Sequence, residues 1–361
     1  MAAAVRGLRQ PWLGIAGTLI CLPVSLAVSA SLPADYFMGW VSFALIAATP
    51  LLITAGAVWQ GWLPLPMAPP RQPLRAVLSL CWCLAVTAIL GAIIVGLLGP
   101  GETPLSAPGP GQAPLFFVIT AVPATLWLCL VGRTLPFTAL RAPGWLQGAL
   151  LLGAAYGMAT LVFFGGYDFT RLAADARSAV PTGLFDPWAA AAAWILSVNV
   201  ILAIQMAGGW PNSHNVTTPT SGRVIAADTA VVLPLTGIVF AILRLGFGMP
   251  GMAMIATVIV PFAFGQFILL TMLENAFPQR PPGPVRGALG LLVAGVLGVA
   301  LYQAYAAVGR FAAPHLGSGA AGGYQLEFWV ATAMLSVTFP VFMVFSGLAG
   351  FWPLRRAEPE A

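Results

Sequence analysis

Along this chain the hydrophobic positions come in long runs of about 18 to 24 residues, separated by short breaks that hold most of the Pro and Arg. A helix needs about 20 residues to cross the hydrocarbon core of a bilayer. The pattern therefore predicts ten transmembrane helices, near residues 12–31, 38–60, 76–98, 115–132, 148–165, 188–208, 225–247, 252–274, 288–308 and 328–350. The expected fold is all-α, a polytopic transmembrane helical bundle forming one integral membrane domain over residues 1–361.

A second pattern is laid over the first. A Pro stands just after each even-numbered helix, at Pro64, Pro136, Pro211, Pro278 and Pro353, so the spacing is 67 to 75 residues. Two spans and two loops make such a period, and the chain reads as five tandem parallel two-helix hairpins, approximately 1–70, 71–143, 144–218, 219–284 and 285–361. A turn-permissive residue precedes each stop (Gly61, Gly132, Gly209, Asn275, Gly350), as a left-handed helix cap requires. Within the even helices Pro50, Pro123, Pro261 and Pro340 lie mid-span, where each removes a backbone hydrogen bond and kinks the helix. Helix six has Asn199 at that place. The odd helices instead carry small residues four apart, Ala88, Ala92 and Gly96; Ala149, Gly153 and Gly157; Gly290, Ala294 and Gly298, a spacing that lets helix backbones approach closely. Two spans per unit give parallel repeats about an axis along the membrane normal, not the inverted repeats of many secondary transporters.

Composition agrees: 59% of residues are hydrophobic, 7% are charged and mean hydropathy is +0.92. Charge changes the picture by fixing orientation. Eleven of the fifteen basic residues, all Arg, lie at the N-terminus or in loops after even helices (Arg6, Arg9, Arg71, Arg75, Arg133, Arg141, Arg223, Arg280, Arg286, Arg355, Arg356). Basic residues in short loops stay on the cytoplasmic side, which places both termini there. The absence of Lys beside abundant Ala, Gly, Pro and Arg suggests a GC-rich genome and a bacterial cell inner membrane. Scattered in this way, the net charge of +5 marks topology, and no nucleic-acid partner is expected. Residues 1–30 also resemble a signal peptide ending at Val28-Ser29-Ala30; the repeat needs this segment as its first helix, so it is read as retained.

Candidate chemistry is sparse. Cys21, Cys81, Cys83 and Cys129 fall within spans and read as small packing residues. His214 and His315 have no ligand-spaced neighbours, no catalytic or phosphate-binding motif is present, and no metal or cofactor is implied. Gly317 to Gly323 reads as a flexible loop, residues 173–179 as a short interfacial helix with Phe169 and Leu172 toward lipid, and seven Trp near span ends, among them Trp59 and Trp329, as an aromatic belt.

An ionisable group in a span is costly and needs a reason. Asp228, Arg244 and Glu274 all belong to the fourth hairpin. Asp228 and Glu274 are placed to face one another with Arg223 in reach, either as a proton or cation site or as an ion pair pinning the hairpin. Arg244 snorkels or binds a ligand. Asn199 and Gln266 line a substrate path or bond helix to helix. Three functions remain: a permease or channel for a small molecule or ion; a non-catalytic subunit anchoring a membrane complex; and, third, an intramembrane lipid-modifying enzyme, for which converging nucleophile, base and metal ligands are missing.

Overall fold

Each apolar run is helical in the computed structural model, which describes residues 7–62, 68–99, 109–135, 137–140, 142–171, 181–212, 221–276 and 283–354. The spans are α1 (Trp12–Ala30), α2 (Ala34–Ala57), α3 (Leu74–Leu98), α4 (Gln112–Leu130), α5 (Gly144–Gly166), α6 (Pro187–Met206), α7 (Gly222–Gly246), α8 (Gly251–Met272), α9 (Gly283–Ala312) and α10 (Gln325–Leu348). All ten are long and apolar enough to cross a bilayer, and the chain is an all-α, multi-pass membrane protein. Among the described residues no strand is formed, and the isolated bridges include Tyr167 with Phe185 and Asp168 with Thr182.

Burial sorts the helices into two shells. Across their apolar windows 56% to 78% of residues are buried in the even helices, against 11% to 33% in the odd ones. The odd helices form an outer layer that turns Leu19, Leu97, Leu161, Leu245 and Val296 outward, as lipid-facing surface requires. The even helices pack side by side in the order α2, α4, α6, α8, α10, and α10 closes back on α2. The result is a ring of five.

Each outer helix lies over the groove between the inner helix just before it in sequence and the inner helix one step further back. Thus α5 packs on α4 and α2, α7 on α6 and α4, and α9 on α8 and α6. The helix α3 packs on α2 and α10, and α1 takes the matching place on α10 and α8. Side-chain bonds repeat the rule. Gln10 accepts from the Gly14 N–H (3.1 Å) and donates to the Met272 carbonyl (3.0 Å) at the end of α8. Gln72 accepts from the Ala76 N–H (3.2 Å) and donates to the Leu348 carbonyl (2.7 Å) at the end of α10. Trp59, expected in an aromatic belt, is instead buried and donates to the Gly144 carbonyl (2.8 Å), tying α2 to the start of α5. Trp329 is buried as well.

Close approach is supplied by glycine where the shells touch. A Cβ on Gly14 would lie 2.1 Å from the Met272 oxygen, one on Gly265 2.0 Å from the Ala294 oxygen, and one on Gly298 2.6 Å from the Pro261 oxygen. The small-residue strip holds on α9, where Gly290, Ala294 and Gly298 are all buried. It fails on α3 and α5. There Gly96, Gly153 and Gly157 have no atom within 4 Å of a built Cβ, and the buried faces are Ser79, Cys83, Thr87, Gly91 and Leu151, Ala155, Ala159, Phe163.

All five inner helices end alike, on two consecutive left-handed residues: Gln60 and Gly61, Arg133 and Thr134, Gly208 and Gly209, Glu274 and Asn275, Gly350 and Phe351. In four of them the second N–H bonds a carbonyl six residues back (Ala55, Leu128, Leu269, Phe345), which satisfies carbonyls the helix end leaves open. Gly132, expected as the cap of α4, is right-handed; the turn falls on Arg133 and Thr134. Wide, π-helical turns at Ile255–Ile259 and Ala333–Thr338 span the carbonyls that Pro261 and Pro340 leave unbonded, whereas Pro50 and Pro123 lie within continuous α-helix. The helix α6, with Asn199 at that place, is an uninterrupted α-helix. Outer helices α1 and α7 also contain Pro, at Pro23 and Pro234.

Just past α5, Phe169 is buried against Phe116, Phe163 and Tyr167 rather than facing lipid. Tyr167 is itself fully buried and hydrogen-bonded to Thr120 (2.7 Å). Burial pushes its phenol well above the usual range, and the Thr120 bond works against that rise. The helix expected at 173–179, with Leu172, lies outside the described residues. The Gly317–Gly323 segment, expected to be a flexible loop, is pinned: Glu327 Oε1 accepts from Ser318 Oγ and from the Gly319 N–H (3.0 Å).

Candidate functional site

The inner ring encloses an axis, and the residues facing it recur every three or four positions along each helix. Two small cavities lie on it. The first, about 30 Å³, is lined near the N-terminal ends of the inner helices by residues that include Ser42, Leu115, Trp188, Ile255 and Thr332, one helix apiece. The second, about 40 Å³, is mid-span and includes Thr49, Val122, Asn199, Ala263 and Phe339, again from all five. Ile46, Ile119, Ile195 and Leu335 line both cavities and form an apolar belt between them. Apolar cavities of this size stay dry, and an apolar constriction bars ions by dewetting. On the far side Phe267 and Phe339 pack with ring centroids 4.5 Å apart.

At the C-terminal ends of the inner helices the structure opens into a vestibule of about 830 Å³. It is walled by Ala57 of α2, Cys129, Leu130 and Val131 of α4, Ile201 and Ile204 of α6, Val232 of α7 and Leu270 of α8. Its polar lining is Arg133, Thr134, Gln205, Asp228, Asn275 and Arg286. The left-handed helix ends put Arg133, Thr134 and Asn275 there.

The candidate residues divide between these spaces. Asp228 lines the vestibule and is 14% exposed; Asn212 Nδ2 donates to its Oδ1 (2.9 Å), and Arg133 Nη2 stands 4.0 Å from its Oδ2. Its ion-pair partner is thus Arg133, just past α4, where Arg223 was expected. Glu274 is one of the left-handed residues ending α8 and is absent from the vestibule lining. Asn199 lines the axial cavity, and its Nδ2 donates to the Ile259 carbonyl (2.9 Å). Gln266 is fully buried and donates to the Asn199 carbonyl (3.0 Å). The two amides tie α6 to α8, and their oxygens have no hydrogen-bond partner among the described residues. Arg244 lies elsewhere, exposed at the end of α7, donating to the Met249 carbonyl (3.0 Å).

Sequence reasoning takes Arg133 and Arg286 as topology signals, Asn275 as a cap and Gln205 as a polar group in need of a partner, and it misses Thr134 and the belt. One signal was available. Ile46, Ile119 and Ile195 each stand four residues before Pro50, Pro123 and Asn199, so the repeat register that located the kinks also located the belt. Among the described residues no group of His, Cys, Asp and Glu could hold a metal ion.

The fold and site define a class, a ring-forming multi-pass membrane protein with an axial, five-helix-lined interior. Compared with protein-family models, curated proteins and solved structures, the chain matches none.

Proposed function

We propose that the protein is a conduit for a small solute, described here with its axis closed, and that the route runs from the vestibule along the ring axis past the belt. One observation carries the reading: all five inner helices contribute side chains to the same axial cavities, so no pair or half of the bundle owns the interior. The asymmetric lining supports it further, with a polar, roomy mouth at one end and an apolar constriction mid-span. Asn199, Gln266 and Asp228 stand along or beside this route. Five two-helix repeats would give this arrangement, and the Arg distribution supports a vestibule and both termini on the cytoplasmic side, in keeping with a bacterial inner membrane.

The test is a leak assay in liposomes holding the purified protein, with dissipation of a chloride gradient as readout. Ile119→Asn combined with Ile195→Ser makes the belt wettable, and the expected leak rises at least about tenfold, a barrier change of about 1.4 kcal/mol. A doubly substituted protein that melts like the parent and leaks no faster refutes the conduit.

A further inference from the structure

The vestibule holds an unbalanced set of charges. Arg133 and Arg286 bring two guanidinium groups to it, and among the described residues Asp228 is the one carboxylate in its lining. Asp228 faces Arg133 at 4.0 Å and is the anion described near it. Arg286 comes from the first turn of α9 and lines the same cavity; its Nε is enclosed by protein with no hydrogen-bond partner among the described residues, so a ligand in the cavity would meet the terminal nitrogens. A buried donor without a partner is costly, more so on a charged group. What satisfies a guanidinium best is an oxyanion, held by two parallel N–H bonds. Neutral amides from Gln205 and Asn275 and the Thr134 hydroxyl complete the polar side. The rest of the lining is largely apolar, with Leu130, Val131, Ile201, Ile204, Val232 and Leu270, and would be paired wastefully with an inorganic ion. The volume is in the range of small-molecule sites, about 300 to 1,000 Å³.

We infer that the vestibule binds an organic monoanion, a carboxylate or phosphate ester with an apolar body, whose acidic end is held by Arg286 while the body lies on the α4, α6 and α8 wall. Arg133 faces the same space, and Asp228 competes with the ligand for its guanidinium. Deepening the conduit reading, the assignment names a substrate class for its mouth. Binding itself needs no opening of the axis, so it is measured without flux, and either reading can fail alone.

Free acids and lipid headgroups carry the same chemistry, and the experiment separates them. The purified protein is placed in nanodiscs of zwitterionic lipid and titrated calorimetrically with octanoate and with acetate, then repeated in nanodiscs containing phosphatidylglycerol. Saturable octanoate binding, much tighter than acetate, is expected in the neutral discs. Arg286→Gln weakens it about tenfold or more. Asp228→Asn strengthens it severalfold, because it removes the competing carboxylate, a gain that a purely structural role for Asp228 does not produce. Arg286→Lys, which keeps the charge but loses the planar fork, serves where the Gln variant fails to fold. If phosphatidylglycerol abolishes octanoate binding in the parent, and raises the melting temperature only when Arg286 is present, the occupant is a lipid headgroup. Equal affinity for acetate and octanoate, binding indifferent to both Arg286 variants, or no binding in either disc overturns the assignment.

Discussion

The contact between α8 and α9 predicts opposite outcomes for one substitution made at two places. A Cβ added at Gly265 meets backbone, with Ala294 O at 2.0 Å, its carbonyl carbon at 2.7 Å and its Cα at 2.8 Å. Ordinary contact begins at 3.4 Å, so Gly265→Ala forces the helices about 1.4 Å apart at that point. No side chain can swing away to relieve it. Gaps of about 0.5 to 1 Å already forfeit a quarter to a half of each van der Waals contact, and in lipid such packing is a main force holding helices together. Overpacking of this kind costs about 1 to 3 kcal/mol. The gain from a less flexible unfolded chain, about 0.4 to 1 kcal/mol, does not cover it. Gly153 on α5 has nothing within 4 Å of its built Cβ, so Gly153→Ala keeps the gain and bears no clash. Thermal unfolding of both variants in one detergent, followed by Trp fluorescence, should show Gly265→Ala melting below the parent and Gly153→Ala at or above it. Gly265→Ala melting at or above the parent would show that close approach of α8 and α9 is not what holds the shells together.

Two further outcomes follow from the helix ends and the vestibule. Gly61 has φ +74°, and a Cβ there would lie 2.6 Å from the Gly347 oxygen, so Gly61→Ala should destabilise by more than about 1 kcal/mol, whereas Gln60→Gly, at φ 52°, should be neutral or better; equal melting temperatures for the two refute the left-handed cap. In a background lacking native Cys, Gln205→Cys should react with a membrane-impermeant thiol reagent from the cytoplasmic face alone; reaction from the outer face alone reverses the proposed orientation.

What the sequence made legible was one-dimensional: which stretches span, where they kink and where they stop. Those features come from runs of apolar residues and from Pro, and both act on their own helix. What was not legible depends on the neighbour. Small residues recur on every face of α3 and α5, so spacing alone could not show that Ala155 and Ala159 face α4 and α2 while Gly153 and Gly157 face outward. Likewise Arg133 looks like any loop Arg until the two left-handed residues ending α4 turn it toward Asp228, which belongs to α7 and lies 95 positions on. The fifth left-handed pair falls on Gly350 and Phe351, the third on Gly208 and Gly209, so the shared geometry hides behind unlike residues. Depth misled as well: Trp59, Trp329 and Phe169 sit near span ends, where a belt is usual, yet each finds a buried partner.

The ring also limits how such a protein can work. Transporters that rock two equivalent halves around a fixed midplane site need an interior that divides in two. Five inner helices, each touching the next and all sharing the axial cavities, offer no such division. For the proposed conduit, the motion this leaves is one in which inner helices tilt or bend individually. Four of them carry a mid-span Pro, at Pro50, Pro123, Pro261 and Pro340, where a backbone hydrogen bond is already missing and bending is cheapest. The fifth, α6, has no Pro there and is bonded to α8 through Asn199 and Gln266. In the proposed conduit α6 and α8 form the fixed pair against which the others move, and that gives Asn199 a reason to stand where the register otherwise places Pro.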